Sequence, residues 1–119
     1  MCGDEYMSRI NCDNLHRINK VAEFIKNNYS ENYTVQYYAN ICNMEIKYFI
    51  KLFKKYIGVS PQRFRTNIRI EKAKELLINS DMNNEDITYA VGYSDPLYFS
   101  RVFKKHTGVS PRVFRENNG

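Results

Sequence analysis

Two rows of side chains, fifty residues apart in the chain, have the chemistry of a surface that binds a polyanion. Each row follows the three- and four-residue spacing that places side chains on one face of a helix. Basic side chains in such a row attract nucleic-acid phosphates, and the DNA major groove admits an α-helix. The first contact row consists of Lys47, Ile50, Lys51 and Lys54, and the second contact row consists of Leu97, Ser100, Arg101 and Lys104.

Two positions keep a positive charge in both rows. Lys51 of the first contact row corresponds to Arg101 of the second. Lys54 corresponds in the same way to Lys104. A charge kept in both rows is predicted to bind phosphate, and Arg101 has the bidentate geometry to bind O6 and N7 of guanine instead.

The other two positions change chemistry between the rows. Lys47 corresponds to Leu97, and Ile50 corresponds to Ser100. Positions that differ are predicted to contact base edges, where each DNA sequence needs a different side chain. Ile50 or Leu97 would pack against a thymine methyl group. From spacing alone, a solvated basic face on a helix bundle remains an equally good interpretation.

Both rows lie within a repeated phrase. YFIKLFKKYIGVSPQRFR begins at Tyr48, and YFSRVFKKHTGVSPRVFR begins at Tyr98. The repeat indicates two copies of one small unit. On the face opposite each contact row, the same spacing predicts a buried row, formed by Phe49, Leu52, Phe53 and Tyr56 in the first copy and by Phe99, Val102, Phe103 and His106 in the second.

Apolar periodicity, caps and breakers predict an all-α chain of about seven helices. We expect two helix-turn-helix subdomains, 14–60 and 81–117, joined by a linker helix within 61–80, with 1–13 as a disordered segment or linker remnant. The predicted helices are Asn14–Asn28, the segment from a Thr34 cap to Ile41, Glu45–Tyr56, Pro61–Asn79, Glu85–Val91, the segment from a Ser94 or Asp95 cap to His106, and a last one opened by Ser110-Pro111.

The composition indicates an intracellular protein that binds a negatively charged partner. The net charge is +5, and residues 45–119 carry fourteen Lys or Arg against eight Asp or Glu. The three cysteines form no CxxC pair, and no apolar run is long enough to span a membrane, so we expect a cytoplasmic protein. No spacing typical of a catalytic, cofactor or metal site is present, which predicts a protein that is not an enzyme and has no cofactor.

The phrases RIEKAKELL and AVGYSDPLYFSRVFKKHTGVSP resemble the DNA-binding region of the AraC/XylS transcription regulators, over about residues 15–115. They are also similar to the output domain of YesN-type response regulators. The resemblance implies two homeodomain-like helix-turn-helix units on a long helix, with recognition helices in successive major grooves. By position it implies these DNA-binding residues: Lys47, Ile50, Lys51, Lys54, Pro96, Leu97, Ser100, Arg101 and Lys104.

The sequence therefore predicts sequence-specific binding of double-stranded DNA by a bacterial transcription regulator. The resemblance further implies RNA polymerase as a partner, and a sensor, receiver or dimerisation domain that is missing from this chain. The chain is accordingly either a small stand-alone regulator or a C-terminal fragment of a larger one. Two alternatives remain at this point. One is an interaction module that contacts RNA polymerase or a partner domain, with DNA contact secondary, and the other is a non-specific nucleic-acid binder.

Several residues depart from the family pattern. Thr88 replaces a small alanine, which Ala39 keeps in the first unit, and we expect its hydroxyl to bind an i−4 carbonyl. Asn84 stands where an apolar residue is usual. Glu45 stands where a serine cap is usual, which leaves Asn43 as a possible cap.

Overall fold

The computed structural model describes residues 2–118, with side chains from Cys12 onward. This part of the chain contains helices and no strand, which confirms the all-α prediction. The helices are α1 (Cys2–Asn27), α2 (Val35–Ile41), α3 (Ile46–Ile57), α4 (Pro61–Asn79), α5 (Asn84–Ala90), α6 (Pro96–Thr107) and α7 (Pro111–Asn118). None of these helices is long and apolar enough to cross a membrane.

The chain divides into two compact units. Unit 1 comprises residues 1–28 and 33–65, and unit 2 comprises residues 29–32 and 66–119. Unit 1 therefore holds α1, α2 and α3, and unit 2 holds α5, α6, α7 and most of α4.

The core of unit 1 is built by the inward faces of α1, α2 and α3. Their spacing places one or two apolar side chains per turn on the inner face. The buried side chains are Ile18, Val21, Ala22 and Ile25 of α1, Tyr38 and Ala39 of α2, and Phe49, Leu52 and Phe53 of α3. This core fixes the inner face of α3, so the opposite face is left to solvent.

Helix α1 is longer than the sequence predicted. The prediction began it at Asn14 and treated 1–13 as disordered or linker, but the helix begins at Cys2. The apolar stripe marks only the part of the helix that packs on a core. Once that part is helical, adding residues to it is cheap, and no proline or glycine interrupts residues 4–13.

Unit 2 is organised around α4 as a core helix. Ile70, Ala73 and Leu77 of α4 pack with buried residues of α5 and α6. In α6 these are Phe99 and Phe103, which are fully buried. The predicted linker range 61–80 thus corresponds to a helix that supplies one wall of the second unit's own core.

The two units repeat one aromatic contact. In unit 1 the rings of Phe53 and Phe64 meet edge to face at 5.5 Å between centroids. In unit 2 the rings of Phe103 and Phe114 meet in the same way at 5.4 Å. The first pair joins α3 to α4, and the second joins α6 to α7, in each case across a Ser-Pro turn. The shared phrase therefore encodes the same packing twice.

Residues 29–32 belong to unit 2 because α4 binds them there. Arg69 is 4% exposed. Its Nε donates to the carbonyl oxygen of Tyr29 at 2.6 Å, and a terminal nitrogen donates to Oδ1 of Asn32 at 2.9 Å. The sequence pattern did not indicate this role, because a basic residue in a helix repeat is usually solvated.

Candidate nucleic-acid interface

Helix α3 begins at a carboxylate cap. The Glu45 side chain accepts the backbone N–H groups of Lys47 and Tyr48 at 3.1 and 3.0 Å. These two donors favour the charged carboxylate, which lowers the pKa of Glu45. The alternative cap that the sequence suggested, Asn43, is wrong. Asn43 instead adopts a left-handed conformation in the turn, with φ of 53°.

The C-terminal end of α3 suits a basic surface. The helix ends at Gly58, whose φ of 99° lies in the left-handed region, and whose N–H donates to the Lys54 carbonyl at 2.9 Å. Lys54 and Lys55 lie in the last turn, where cations interact favourably with the helix dipole.

The first contact row is on the solvent side of α3. Lys47, Lys51 and Lys54 are exposed, and Ile50 is 37% exposed. Tyr56, which the sequence placed in the buried row, is half-buried. An apolar side chain thus stands among three cations on one accessible face.

Helix α6 is built in the same way. Oδ1 of Asp95 accepts the N–H of Leu97 at 3.0 Å, and Pro96 is the first helical residue, where its missing N–H costs nothing. Asp95 is therefore the cap, and Ser94 is not. The helix ends at Gly108, with φ of 87°.

The second contact row is accessible, though not uniformly. Leu97 is 73% exposed, which is a large exposure for a leucine. Arg101 and Lys104 are exposed, whereas Pro96 and Ser100 are half-buried.

One prediction for the opposite face of α6 is wrong. His106 was placed in the buried row with Val102, but it is exposed. Its Nδ1 lies 3.0 Å from the Val102 carbonyl oxygen, and Val102 itself is half-buried. The apolar face of α6 therefore ends one turn earlier than helical spacing predicted.

The turns before α3 and α6 match one another. Met44 donates its N–H to the Ala39 carbonyl at 3.0 Å, and Tyr93 donates to the Thr88 carbonyl at 3.0 Å. The residue before each donor has a positive φ, 53° in the first turn and 108° at Gly92. Residues of α2 therefore match residues of α5 that lie 49 positions later in the chain. From the caps of α3 and α6 onward the difference is 50 positions, because the second turn has one extra residue.

Helix α5 carries two of the three departures from the family pattern. Thr88 is fully buried, and its hydroxyl donates to the carbonyl oxygen of Asn84 at 2.7 Å, as the sequence predicted. The side-chain Oδ1 of Asn84 is buried and has no hydrogen-bond partner among residues 12–118. The hydroxyl is thus satisfied locally, whereas the amide oxygen is not.

The cations of the two contact rows are unpaired, in contrast to many others on the surface. Within residues 12–118, cations of α1, α4 and α7 form ion pairs with carboxylates three or four positions away, and none of these pairs involves α3 or α6. Within the same part of the chain, the charged groups of Lys51, Lys54, Arg101 and Lys104 have no hydrogen-bond or ion-pair partner. These groups are available to an external anion.

Two exposed tyrosines, Tyr48 and Tyr98, lie beside the contact rows in the first turns of α3 and α6. Tyr48 is 46% exposed, and its hydroxyl oxygen accepts a bond from Nδ2 of Asn14 at 3.1 Å. Tyr98 is 55% exposed, and its ring meets that of Tyr93 at 5.8 Å between centroids. The Tyr48 hydroxyl is therefore oriented by unit 1, while its own proton stays available to an acceptor.

Two exposed lysines were not among the predicted site residues. Lys55 follows Lys54 and lies one turn beyond Lys51, on the same side of α3. Lys105 takes the equivalent place in α6. The signal was present in the sequence, because both lysines belong to the FKK triplet that the two copies share.

Comparison with known proteins agrees with this geometry. A family model described as a helix-turn-helix domain matches residues 38–117. The lactose operon transcription activator of Staphylococcus xylosus is 40% identical over 80 residues, which is 67% of this chain and 29% of that protein. The chain therefore spans about three tenths of the length of this curated relative.

Solved structures show the same fold. The C-terminal domain of AraT, a response regulator from Geobacillus stearothermophilus, superposes with a TM-score of 0.81 at 32% identity, over 85% of this chain and 84% of that one. The C-terminal domain of the response regulator YesN from Fusobacterium nucleatum gives 0.78 at 28% identity, over 82% and 95%. The DNA-binding domain of AdpA, solved with a target DNA, gives 0.80 at 22% identity over 84% and 90%, which shows the fold alone.

The fold and the two exposed basic helices define the class as a helix-turn-helix DNA-binding domain. The chain belongs to the AraC/XylS-type family of transcription regulators, as its sequence resemblance implied. It is a DNA-binding module and not an enzyme.

Proposed function

We propose that this domain binds a specific site on double-stranded DNA by placing α3 and α6 in successive major grooves. The observation that carries the proposal is the availability of the cations on these two helices. Elsewhere in residues 12–118, cations of α1, α4 and α7 form ion pairs with neighbouring carboxylates, but the cations at the matched positions of both contact rows have no such partner. Such groups gain most from contact with phosphate.

The cations kept in both rows take two roles. Lys51, Lys54 and Lys104 bind phosphate oxygens, which gives affinity without sequence information. Arg101 binds O6 and N7 of a guanine, because the planar guanidinium matches that pair of acceptors. The exposure of Arg101 and its lack of an internal partner support this role.

The residues that differ between the rows read the bases. Ile50 and Leu97 contact thymine methyl groups, and the large exposure of Leu97 supports this assignment. Lys47 and Ser100 bond to base edges or nearby phosphates. Pro96 is a contact that also sets the start of α6, since its φ is fixed.

The whole protein regulates transcription in the bacterial cytoplasm. This chain spans only 29% of the lactose operon activator and 32% of the raffinose operon regulatory protein of Pediococcus pentosaceus, so both relatives extend well beyond the matching segment. We propose that a sensor, receiver or dimerisation domain controls this module, and that the bound protein contacts RNA polymerase. The similarity to the C-terminal domains of two response regulators favours a receiver domain.

Selection of binding sites from random DNA, followed by a competition gel-shift assay, tests the proposal. We expect one preferred site of about 16–20 base pairs, a length that corresponds to two grooves one turn apart. Unrelated DNA should compete at least about a thousandfold less well at physiological salt. Equal competition by every sequence would identify a non-specific binder, and no shift at low salt would identify an interaction module.

Two substitutions separate the proposed roles. Arg101→Ala should relax the preference at one or two base pairs and cost about 1–3 kcal/mol of binding to the selected site. Lys54→Ala should weaken binding to all sequences alike, and it should reduce the slope of log affinity against log salt concentration by about one. Identical behaviour of the two variants would contradict the division between base and phosphate contacts.

A further inference from the structure

We propose that the two helix-turn-helix units contribute unequally to DNA binding. The unit formed by α2 and α3 supplies most of the salt-dependent, sequence-independent affinity. The unit formed by α5 and α6 adds affinity mainly where its half-site matches. This inference rests on the proposed function, and it assigns a different task to each half of the same site.

The first observation is a difference in charge between the matched units. The segment 34–58, from the cap of α2 to the end of α3, contains four lysines and one glutamate, a net charge of +3. The corresponding segment 83–108 contains three Lys or Arg and three Asp or Glu, a net charge of zero. Helices α3 and α6 are both basic, so the difference in net charge between the two segments arises mainly outside α6.

The second observation is where the additional acids lie. Glu85 and Asp86 occupy the first turn of α5 and are exposed. With the offset of 49 residues, the equivalent positions of α2 are Gln36 and Tyr37, which are uncharged. Within residues 12–118 neither carboxylate forms an ion pair with a cation, and Glu85 accepts only the Tyr89 hydroxyl, at 3.0 Å.

These carboxylates affect DNA binding because of their place in the motif. The first helix of a helix-turn-helix crosses the sugar-phosphate backbone while the second enters the groove. Unpaired carboxylates on α5 therefore lower the positive potential that the backbone meets at unit 2, although they suit the N-terminal end of the helix dipole. Helix α2 carries no charged side chain, so it does not repel the phosphates of the backbone.

Specificity follows from this difference. On unrelated DNA, the lysines of α3 bind phosphates, whereas unit 2 makes little contact, so Lys104 binds its phosphate mainly at a matched half-site. On a matched half-site, Leu97 and Arg101 gain base contacts that offset the weaker electrostatic attraction. The carboxylates of α5 oppose binding to every sequence, and only the base contacts of a matched half-site outweigh that repulsion, so the repulsion favours the matched site.

Matched triple substitutions test the division of roles. One variant neutralises Lys51, Lys54 and Lys55 to Gln, and the other neutralises Arg101, Lys104 and Lys105 to Gln, so each removes three charges from equivalent positions. Dissociation constants for the selected site and for unrelated DNA are measured by fluorescence anisotropy at 50–300 mM KCl. Far-UV circular dichroism confirms that both variants remain folded.

We expect the α3 variant to bind unrelated DNA at least about tenfold more weakly than the wild type. The slope of log affinity against log salt concentration should become shallower by about two units or more. The α6 variant should lose less than about threefold on unrelated DNA, but at least tenfold on the selected site. Equal losses on unrelated DNA, or equal changes of slope, would overturn the inference. If the wild-type chain shows no selected site, the proposed function fails, which is a different outcome.

Neutralising the acids gives an independent measurement. The double variant Glu85→Gln with Asp86→Asn should tighten binding to unrelated DNA by about three- to tenfold, and should tighten the selected site less. The control is Glu71→Gln with Glu75→Gln on α4, which makes the same change in net charge at residues that pair with Lys74 and Lys72. Equal tightening by the two variants would show an effect of net charge alone and contradict the role of α5.

Discussion

The guanidinium of Arg69 fits beside Gly92 because glycine has no side chain. A Cβ atom at Gly92 would lie 2.8 Å from the guanidinium carbon of Arg69 and 2.7 Å from the Ser30 carbonyl oxygen. The φ of Gly92, 108°, is also one that other residues rarely adopt. The glycine therefore serves the turn before α6 and the binding of residues 29–32 to unit 2 at the same time.

Gly92→Ala should destabilise unit 2 strongly. The substitution adds backbone strain of about 1–2 kcal/mol and overpacking of about 1–3 kcal/mol, so we expect a loss of about 2–5 kcal/mol. The control is Gly108→Ala in the same unit, whose φ is 87° but whose Cβ would meet nothing within 4 Å. That variant should lose only about 1–2 kcal/mol in urea unfolding. Equal losses would show that the close approach is relieved by a small shift.

The buried amide oxygen of Asn84 is a site where the domain can be stabilised. Its Oδ1 has no hydrogen-bond partner, and an unsatisfied buried acceptor costs about 1–3 kcal/mol. Asn84→Leu should therefore raise the free energy of unfolding by about 1 kcal/mol. The neighbouring Asn83 makes the matched comparison, because its Oδ1 accepts the Asp86 N–H at 2.8 Å. Asn83→Ala should lower stability by about 1 kcal/mol, and a loss for both variants would contradict this account.

The cap of α3 should make stability depend on pH. The backbone N–H groups that lower the pKa of Glu45 below its ordinary value of 4.5 favour the charged carboxylate in the folded chain. Its contribution is therefore fully present above about pH 5 and is lost as the pH falls through the lowered pKa. The difference in Tm between the wild type and Glu45→Gln, followed by circular dichroism, should shrink between pH 6 and pH 3. A difference that stays constant over this range would show that the charge has no part in capping.

Local chemistry explains why much of the fold was predictable. The Ser-Pro starts, the glycine stops and the Thr34 cap act on their own turns, so the bounds of α2 and α4 followed from nearby residues. The exposed contact rows followed from helical spacing, because Phe49 and Phe99 fix which face is buried.

Features set by distant contacts could not be predicted in the same way. Nothing near Arg69 indicates that it binds residues about forty positions earlier. The capping role of Glu45 depends on a side-chain geometry that few glutamates adopt at a helix start. The exposure of His106 depends on where the unit 2 core ends, which spacing along one helix does not show.

The difference between the two contact rows should determine the symmetry of the DNA site. Because the natural rows differ at three of four positions, we expect a selected site with two unlike halves. The triple variant Lys47→Leu, Ile50→Ser, Lys51→Arg gives α3 the same row as α6, and its selected site should become a direct repeat of the half-site that α6 reads. The reverse triple variant, Leu97→Lys, Ser100→Ile, Arg101→Lys, should yield a repeat of the other half-site. Sequencing of selected DNA compares the three sites directly. Two unlike halves from either variant would show that residues outside the rows, such as those of α2 and α5, dominate the readout.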